Sequence, residues 1–277
     1  MHMKEYGVVA VMTIFAFLLQ YTGIYYIIKK YVRRRRGHSA RILLYHKVNN
    51  SSRYLTVSIE KFDRQISYLK KNCRVVSLGE LTDYFAVKEI PEDIVVITFD
   101  DGYKDNFENA LPILRKYDLP ACFFVTSDFI GTDKSFRWDD DLDLECPKMT
   151  WDDLRKIKEL GYDIGAHTVN HSDLGEISLS SARFEIRSSK EKITKEINEE
   201  VKFFSYPFGR RVNVSQPIIE EIRDAGYICC CSAYGGANSV ESTIYDLKRQ
   251  GINDYWTFFV FRKYLEGYFD FLHIFRG

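Results

Sequence analysis

Two stretches of this 277-residue chain carry side chains whose types and spacing suit chemistry. The first runs Ile97-Thr98-Phe99-Asp100-Asp101-Gly102-Tyr103, where paired carboxylates follow the β-branched run Ile94-Val95-Val96-Ile97. Such a run reads as a strand buried on both faces. In parallel α/β folds, sites are built at the C-terminal ends of strands. Charges end a buried strand cheaply only where a metal, a partner or water meets them. A solvated Asp-Gly turn is the plain alternative. The second stretch, Gly161 to Leu174, is a short strand followed by His167 and His171. Four-residue spacing puts two imidazoles on one side of a helical turn, from which both reach one ion; the plain alternative is a surface turn. With Asp101 as a third ligand the set becomes two His and one carboxylate, which leaves positions on a metal open for water and substrate.

The elements that must hold these residues alternate. Strands are expected at Arg41–Tyr45, Cys73–Val76, Ile94–Phe99, Ala121–Val125, Tyr162–Ala166, Phe203–Tyr206 and Tyr227–Cys231. Helical stripes are expected at Ser58–Leu69, Phe107–Tyr117, Trp151–Leu160, Leu179–Glu199 and Ser215–Ala225, the last with Ser215 as N-cap and Gly226 past its end. Strands alternating with helices imply a parallel sheet. Without residues 1–36 the chain is long enough for one α/β barrel with a sizeable core.

The chain divides by composition into 1–36, 37–253 and 254–277. Gly7 to Ile28 is an uncharged apolar run, long enough as one helix to span a bilayer. A cleaved signal peptide fits less well, because no small-residue cleavage pattern follows. Lys29, Lys30 and Arg33 to Arg36 flank the run on one side and Lys4 on the other, so by the positive-inside rule a single-pass anchor would keep the soluble domain cytoplasmic. The whole chain has net charge zero, and residues 37–277 are acidic overall, which gives no reason to expect a nucleic-acid partner. Cys229, Cys230 and Cys231 are consecutive in a strand-like segment, so they read as reduced, small apolar side chains. From Asp254 the tail is rich in aromatics, with Phe258, Phe261, Leu265, Tyr268, Leu272 and Phe275 on one helical face. That face suits docking on the barrel or lying in a membrane interface.

In its motifs the chain resembles the polysaccharide deacetylase family (NodB-type, carbohydrate esterase family four). The matching residues are Thr98-Phe99-Asp100-Asp101-Gly102 and His167-Thr168-Val169-Asn170-His171, with Met149-Thr150-Trp151 and Ile164-Gly165-Ala166 between them. The resemblance spans roughly residues 40 to 250 and is closest to the branch of poly-N-acetylglucosamine deacetylases. It implies a distorted, incomplete (β/α)7 barrel and a metal-dependent hydrolysis of the N-acetyl group of an amino sugar, in a polysaccharide or a lipid-linked glycan. A divalent ion, zinc first, would sit on Asp101, His167 and His171, with Asp100 as general base. The resemblance also implies a general acid from the first strand, His46 in Leu43-Leu44-Tyr45-His46-Lys47-Val48, rather than His273 of the aromatic tail. Ser205-Tyr206-Pro207-Phe208-Gly209 resembles the third motif, with Ser205 where Arg is usual, and the Phe208 N–H would serve as oxyanion donor. Arg249 matches an Arg found late in related sequences and would replace the missing one. The acidic loop Trp138 to Asp143 would border a substrate groove, with Trp138 as a sugar platform, or would simply be an exposed charged loop. Other readings of the same residues are a deformylase, an O-acetyl esterase, or a glycan-binding protein that has lost turnover.

Overall fold

The structure, a computed structural model, describes residues 2–51 and 54–270. Its strands are β1 (Ala40–Tyr45), β2 (Lys47–Val48), β3 (Thr56–Val57), β4 (Arg74–Val75), β5 (Ile94–Phe99), β6 (Cys122–Val125), β7 (Asp163–Ala166), β8 (Phe203–Ser205), β9 (Cys229–Cys231) and β10 (Arg249–Gly251). Seven of them, in the order β10-β1-β5-β6-β7-β8-β9, form a nearly closed parallel barrel. Its ends approach through Leu247, whose N–H donates to Cys230 O and whose carbonyl accepts from Ser232 N–H, both at 2.9 Å. The short pair β2 and β3 lies apart from the barrel.

Every residue of β1 and β5 is buried, as the apolar runs require of strands covered on both faces. Alternation sorts their side chains. Ile42 and Val96 face an inner cluster with Phe124, Phe203, Cys229 and Cys231, while Leu43, Tyr45, Ile97, Phe99 and Cys230 join the cluster under the helices. All six cysteines are free thiols.

Two strand expectations need correction. The segment Cys73–Val76 contributes only the two residues of β4, which pair with Ile94 and Val95 beside the barrel rather than within it. The seventh barrel strand is β10, Arg-Gln-Gly, paired in register with Ile42, Leu43 and Leu44. Three residues with no β-branched side chain give no strand pattern; the neighbouring strand confers the conformation.

The expected helix at Phe107–Tyr117 begins one residue earlier as a π-helical turn, Asn106–Ala110, and continues as Leu111–Lys116. The turn aims two amides at the chain just past β1: Asn106 Nδ2 donates to His46 O at 2.6 Å and Asn109 Nδ2 to Val48 O at 2.8 Å.

The N-terminal expectation of one straight span is also corrected. The apolar run divides at Gly23, whose φ of 69° is left-handed, into helices His2–Thr22 and Ile24–Arg36. The apolar parts of the two helices meet at 82°. Gly7–Thr22 alone is about 24 Å long, short of the ~30 Å hydrocarbon core. No single helix among the described residues is long and apolar enough to cross a membrane; the bent pair passes that test only together.

The aromatic tail forms the helix Phe258–Glu266, stopped by Gly267, and buries Val260, Phe261 and Tyr264 against the barrel's outer cluster. Both N-terminal helices meet this tail: Phe17 of the first stacks on Phe259 at 4.7 Å, and Tyr25 of the second stacks on Tyr268, just past the tail helix, at 3.7 Å. Leu272, His273 and Phe275 lie outside the described residues.

Candidate active site

The ends of β5 and β7 bring the two motifs together. Asp101 Oδ1 lies 3.5 Å from His167 Nε2 and 3.4 Å from His171 Nε2. One ligand atom from each of the three residues falls within 4.8 Å of the others. Both carboxylate oxygens of Asp101 are buried without a hydrogen-bond partner. A buried charge left in that state is costly unless a cation meets it.

The histidines do not sit on a helical turn, contrary to the expectation from their spacing. Residues 167–171 form an irregular loop in which Thr168 and His171 take left-handed φ values of 65° and 59°. Asp101 (78°) and Phe208 (61°) do the same. Non-glycine residues rarely adopt this conformation, and such strain gathers at functional sites.

The loop keeps its shape through Glu185, a buried carboxylate on the helix Leu179–Ile197. Its oxygens accept from Val169 N–H (2.8 Å), Asn170 N–H (2.9 Å), Asn170 Nδ2 (3.0 Å) and Ser172 Oγ (3.0 Å). Sequence reading missed Glu185. The only available signal was an acidic residue on the buried stripe of a helix, between Ala182 and Ile186.

His167 Nδ1 donates to Ser205 O at 2.8 Å. A carbonyl only accepts, so this bond leaves the Nε2 lone pair facing Asp101, the tautomer a metal ligand needs. Burial pushes His167 down to about 4, against the pull of Asp100. Burial opposes ionisation of Asp101 too, yet the His171, His46 and His167 imidazoles around it hold it well below the usual carboxylate range. His167 and Asp101 are thus both held in the deprotonated form that a cation requires.

Asp100 is held from the other side. Arg249 enters from β10, fully buried, and its fork donates to Asp100 Oδ1 at 2.7 Å and Oδ2 at 2.6 Å. The same guanidinium reaches Ser205 Oγ (2.6 Å), Ser232 O (2.9 Å) and Thr98 Oγ1 (3.2 Å). Ser205 Oγ in turn donates to Asp100 Oδ2 at 3.1 Å. Ser205, in the place of the usual Arg, is thus a small polar link that makes room for an arginine from another strand. Burial would raise Asp100; the Arg249 charge outweighs it and keeps the carboxyl below its ordinary value.

His46 follows β1, half-buried at the mouth. Burial lowers its pKa, and Asp101 and Asp100 pull the other way without overcoming that. The Phe208 N–H makes no backbone hydrogen bond to a described residue. It sits in a tight turn closed by Gly209 N–H to Pro207 O at 2.7 Å. Gly209 is required there: φ is 54°, and a Cβ would lie 2.5 Å from Ala233 N. Trp138 and Phe208 flank His171 at ring distances of 5.0 and 5.0 Å. A separate polar cavity, lined by Asp163, Lys202, Glu199 and Glu200, opens beside the starts of β7 and β8 and contains none of these groups.

Residues 88–229 match the family model described as polysaccharide deacetylase. YxkH of Bacillus subtilis strain 168 is 26% identical over 227 residues, covering 81% of this chain and 75% of its own. The poly-β-1,6-N-acetyl-D-glucosamine N-deacetylase of Staphylococcus aureus is 27% identical over 168 residues, 60% of this chain, and this chain spans 58% of that enzyme. Among solved structures, IcaB from Ammonifex degensii superposes with a TM-score of 0.69 at 20% identity, covering 84% of this chain and 98% of that one. The Streptococcus pyogenes deacetylase PplD, solved with acetate, gives 0.67 at 24% identity, covering 78% and 92%. At these identities the structural likeness is one of fold.

Proposed function

The chain belongs to the polysaccharide deacetylase family, and from that premise we propose that it removes the N-acetyl group from an amino sugar of an N-acetylglucosamine-containing glycan, with a divalent metal on Asp101, His167 and His171. The class is that of hydrolases acting on carbon–nitrogen bonds in carbohydrates. The observation that carries the metal is Asp101, whose two oxygens are buried and unpartnered and whose Oδ1 lies 3.5 and 3.4 Å from two imidazole nitrogens. Two nitrogens and one carboxylate suit zinc. A bound ion there would polarise the acetamide carbonyl and lower the pKa of water, to about 7 for zinc in favourable sites.

The chain's own residues do the rest. Asp100, kept ionised by Arg249, takes the proton of the attacking water. The Phe208 N–H would serve as donor to the charge that develops on the carbonyl oxygen. His46 returns a proton to the leaving nitrogen, which departs poorly as an anion.

The N-terminal helices support a membrane-bound reading. Val8, Val11, Ile14, Leu18 and Tyr21 expose an apolar face, and Lys29, Lys30 and Arg33 to Arg36 follow the bend. A basic flank favours the cytoplasmic side, where a lipid-linked amino sugar is the accessible substrate. Protease treatment of intact cells decides this: cleavage of the barrel from outside refutes the cytoplasmic placement and points to a surface polymer.

Metal content and acetate release on one preparation test the chemistry. About one metal per chain is expected in wild type and Asp100→Asn, with acetate from N-acetylglucosamine oligomers in wild type only. His167→Ala or His171→Ala loses both. Turnover of an O-acetyl ester or N-formyl sugar without acetamide cleavage would reassign the reaction. Retained turnover in Asp100→Asn would remove Asp100 as the base.

A further inference from the structure

A second buried polar cluster adjoins the site and takes no part in the chemistry above. Lys47 Nζ donates to Asp139 Oδ1 at 2.6 Å, and both side chains are fully buried. Tyr103 OH donates to Asp139 Oδ2 at 2.8 Å, and Trp138 Nε1 donates to Tyr103 OH at 3.0 Å. Lys47 also lies 3.6 Å from Cys146 Sγ and 5.1 Å from the Tyr103 ring. Lys148 covers that ring from 4.6 Å.

The connectivity is informative. Lys47 follows His46, and Tyr103 follows Asp100-Asp101-Gly102. Each residue reaches away from its motif into the segment between β6 and the helix Trp151–Glu159. That segment is anchored at its base by Gly131 N–H to Met149 O (2.9 Å) and Met149 N–H to Gly102 O (2.8 Å). At its tip, on the short helix Arg137–Asp140, the Asp139 cluster supplies the hydrogen bonds that tie Trp138 to the Asp100-Asp101-Gly102-Tyr103 stretch. The indole stacks on Phe136 (4.7 Å, 6°), meets His171 edge-on and stays half-buried at the mouth.

A buried ion pair is poor evidence of stability, since apolar residues of similar volume serve as well or better. Such a pair does impose one geometry, and here the geometry is that of an aromatic ring beside a metal ligand. We propose that Asp139, acting through Tyr103 and Lys47, is a positioning residue that holds Trp138 as the wall recognising a sugar ring of the glycan. Indole offers a flat apolar face with its one donor already engaged, which suits the C–H face of a neutral pyranose. This rests on the proposed glycan function and assigns that site its specificity device. The class of ligand is an uncharged N-acetylated oligosaccharide extending beyond the reacting sugar.

The test separates the two claims by measuring binding without turnover. Calorimetry with an N-acetylglucosamine tetramer on the Asp100→Asn background reads affinity directly, with metal content measured on each sample. Trp138→Ala is expected to weaken binding about tenfold or more, the order of a lost aromatic stacking partner. Tyr103→Phe, which removes one hydroxyl and spares the ion pair, is expected to weaken it about threefold to tenfold with metal content unchanged. The decisive sample combines both changes. If Tyr103 acts through Trp138, the pair binds no worse than Trp138→Ala alone. Additive losses would show that Tyr103 acts independently and would overturn the proposal, as would full affinity in Trp138→Ala. In enzyme carrying Asp100, the same variants should raise KM for the tetramer more than they lower kcat. Tetramer binding with no acetate release in that enzyme would sink the deacetylase reading alone; absence of binding would sink both.

Discussion

Removing the Arg249 guanidinium tests whether Asp100 owes its ionised state to one partner. In Arg249→Met the fork that meets both Asp100 oxygens disappears, leaving a carboxylate about 3% exposed with the Ser205 hydroxyl as a hydrogen-bond donor and His167 Nε2 3.7 Å away. Two charge-assisted hydrogen bonds at about 1.5–3 kcal/mol each set the upper range of the loss. Breaking a buried pair by deleting one partner costs about 3–5 kcal/mol. The two figures agree, and ~3–5 kcal/mol should appear as a lower denaturation midpoint at unchanged slope. The pH dependence follows with a definite sign. In wild type the Asp100 pKa is depressed, so its contribution is present above the ordinary carboxylate range and is lost as pH falls through the native value. Without Arg249, burial is opposed mainly by the smaller pull of the His167 and His46 imidazoles, and the pKa rises. Stability should then fall as pH rises through the raised value, and the acid limb of kcat/KM should move to higher pH. Adding Asp100→Asn removes the orphaned charge and should recover much of the stability and none of the activity. A stability of Arg249→Met within ~0.5 kcal/mol of wild type, the scatter of ordinary surface substitutions, with an unmoved acid limb, would refute the reasoning.

Two further perturbations probe how the site is held. Glu185→Gln replaces an acceptor of four hydrogen bonds with an amide whose NH2 confronts other donors; we expect metal affinity to drop about 10–100-fold, read by competition with a chelating dye, and the loss should exceed any fall in melting temperature under saturating metal. Gly209→Ala places a Cβ against Ala233 N in a left-handed turn; this should cost ~1–3 kcal/mol and shift the Phe208 N–H, so that kcat for acetate release falls while metal content stays at the wild-type level.

The resemblance made much of the site's membership legible before any fold was known, because motif residues occupy strand ends and strand ends announce themselves. Asp100 and Asp101 follow six consecutive buried residues, and His167 follows a short strand. The arrangement of those residues was less legible. His167 and His171 look like a helical pair, yet Glu185, fourteen residues past His171, bends them into a loop with two left-handed residues. Arg249 was visible as a late arginine, whereas its strand was not: Arg-Gln-Gly acquires a β conformation only from Ile42–Leu44 alongside. The N-terminal apolar run similarly reads as one span, since hydropathy has no term for a left-handed glycine at Gly23.

What the sequence determined by itself, then, is what short-range chemistry can carry: buried β-branched runs, carboxylates at their ends, a histidine pair, and apolar and basic stretches at the N-terminus. The tertiary structure alone decided which distant groups neutralise which. Arg249 meets Asp100 across 149 positions and Lys47 meets Asp139 across 92. The physical reason is that a buried charge must find a partner within hydrogen-bonding distance, and which side chain arrives there depends on how the strands close the barrel, a property of no single segment.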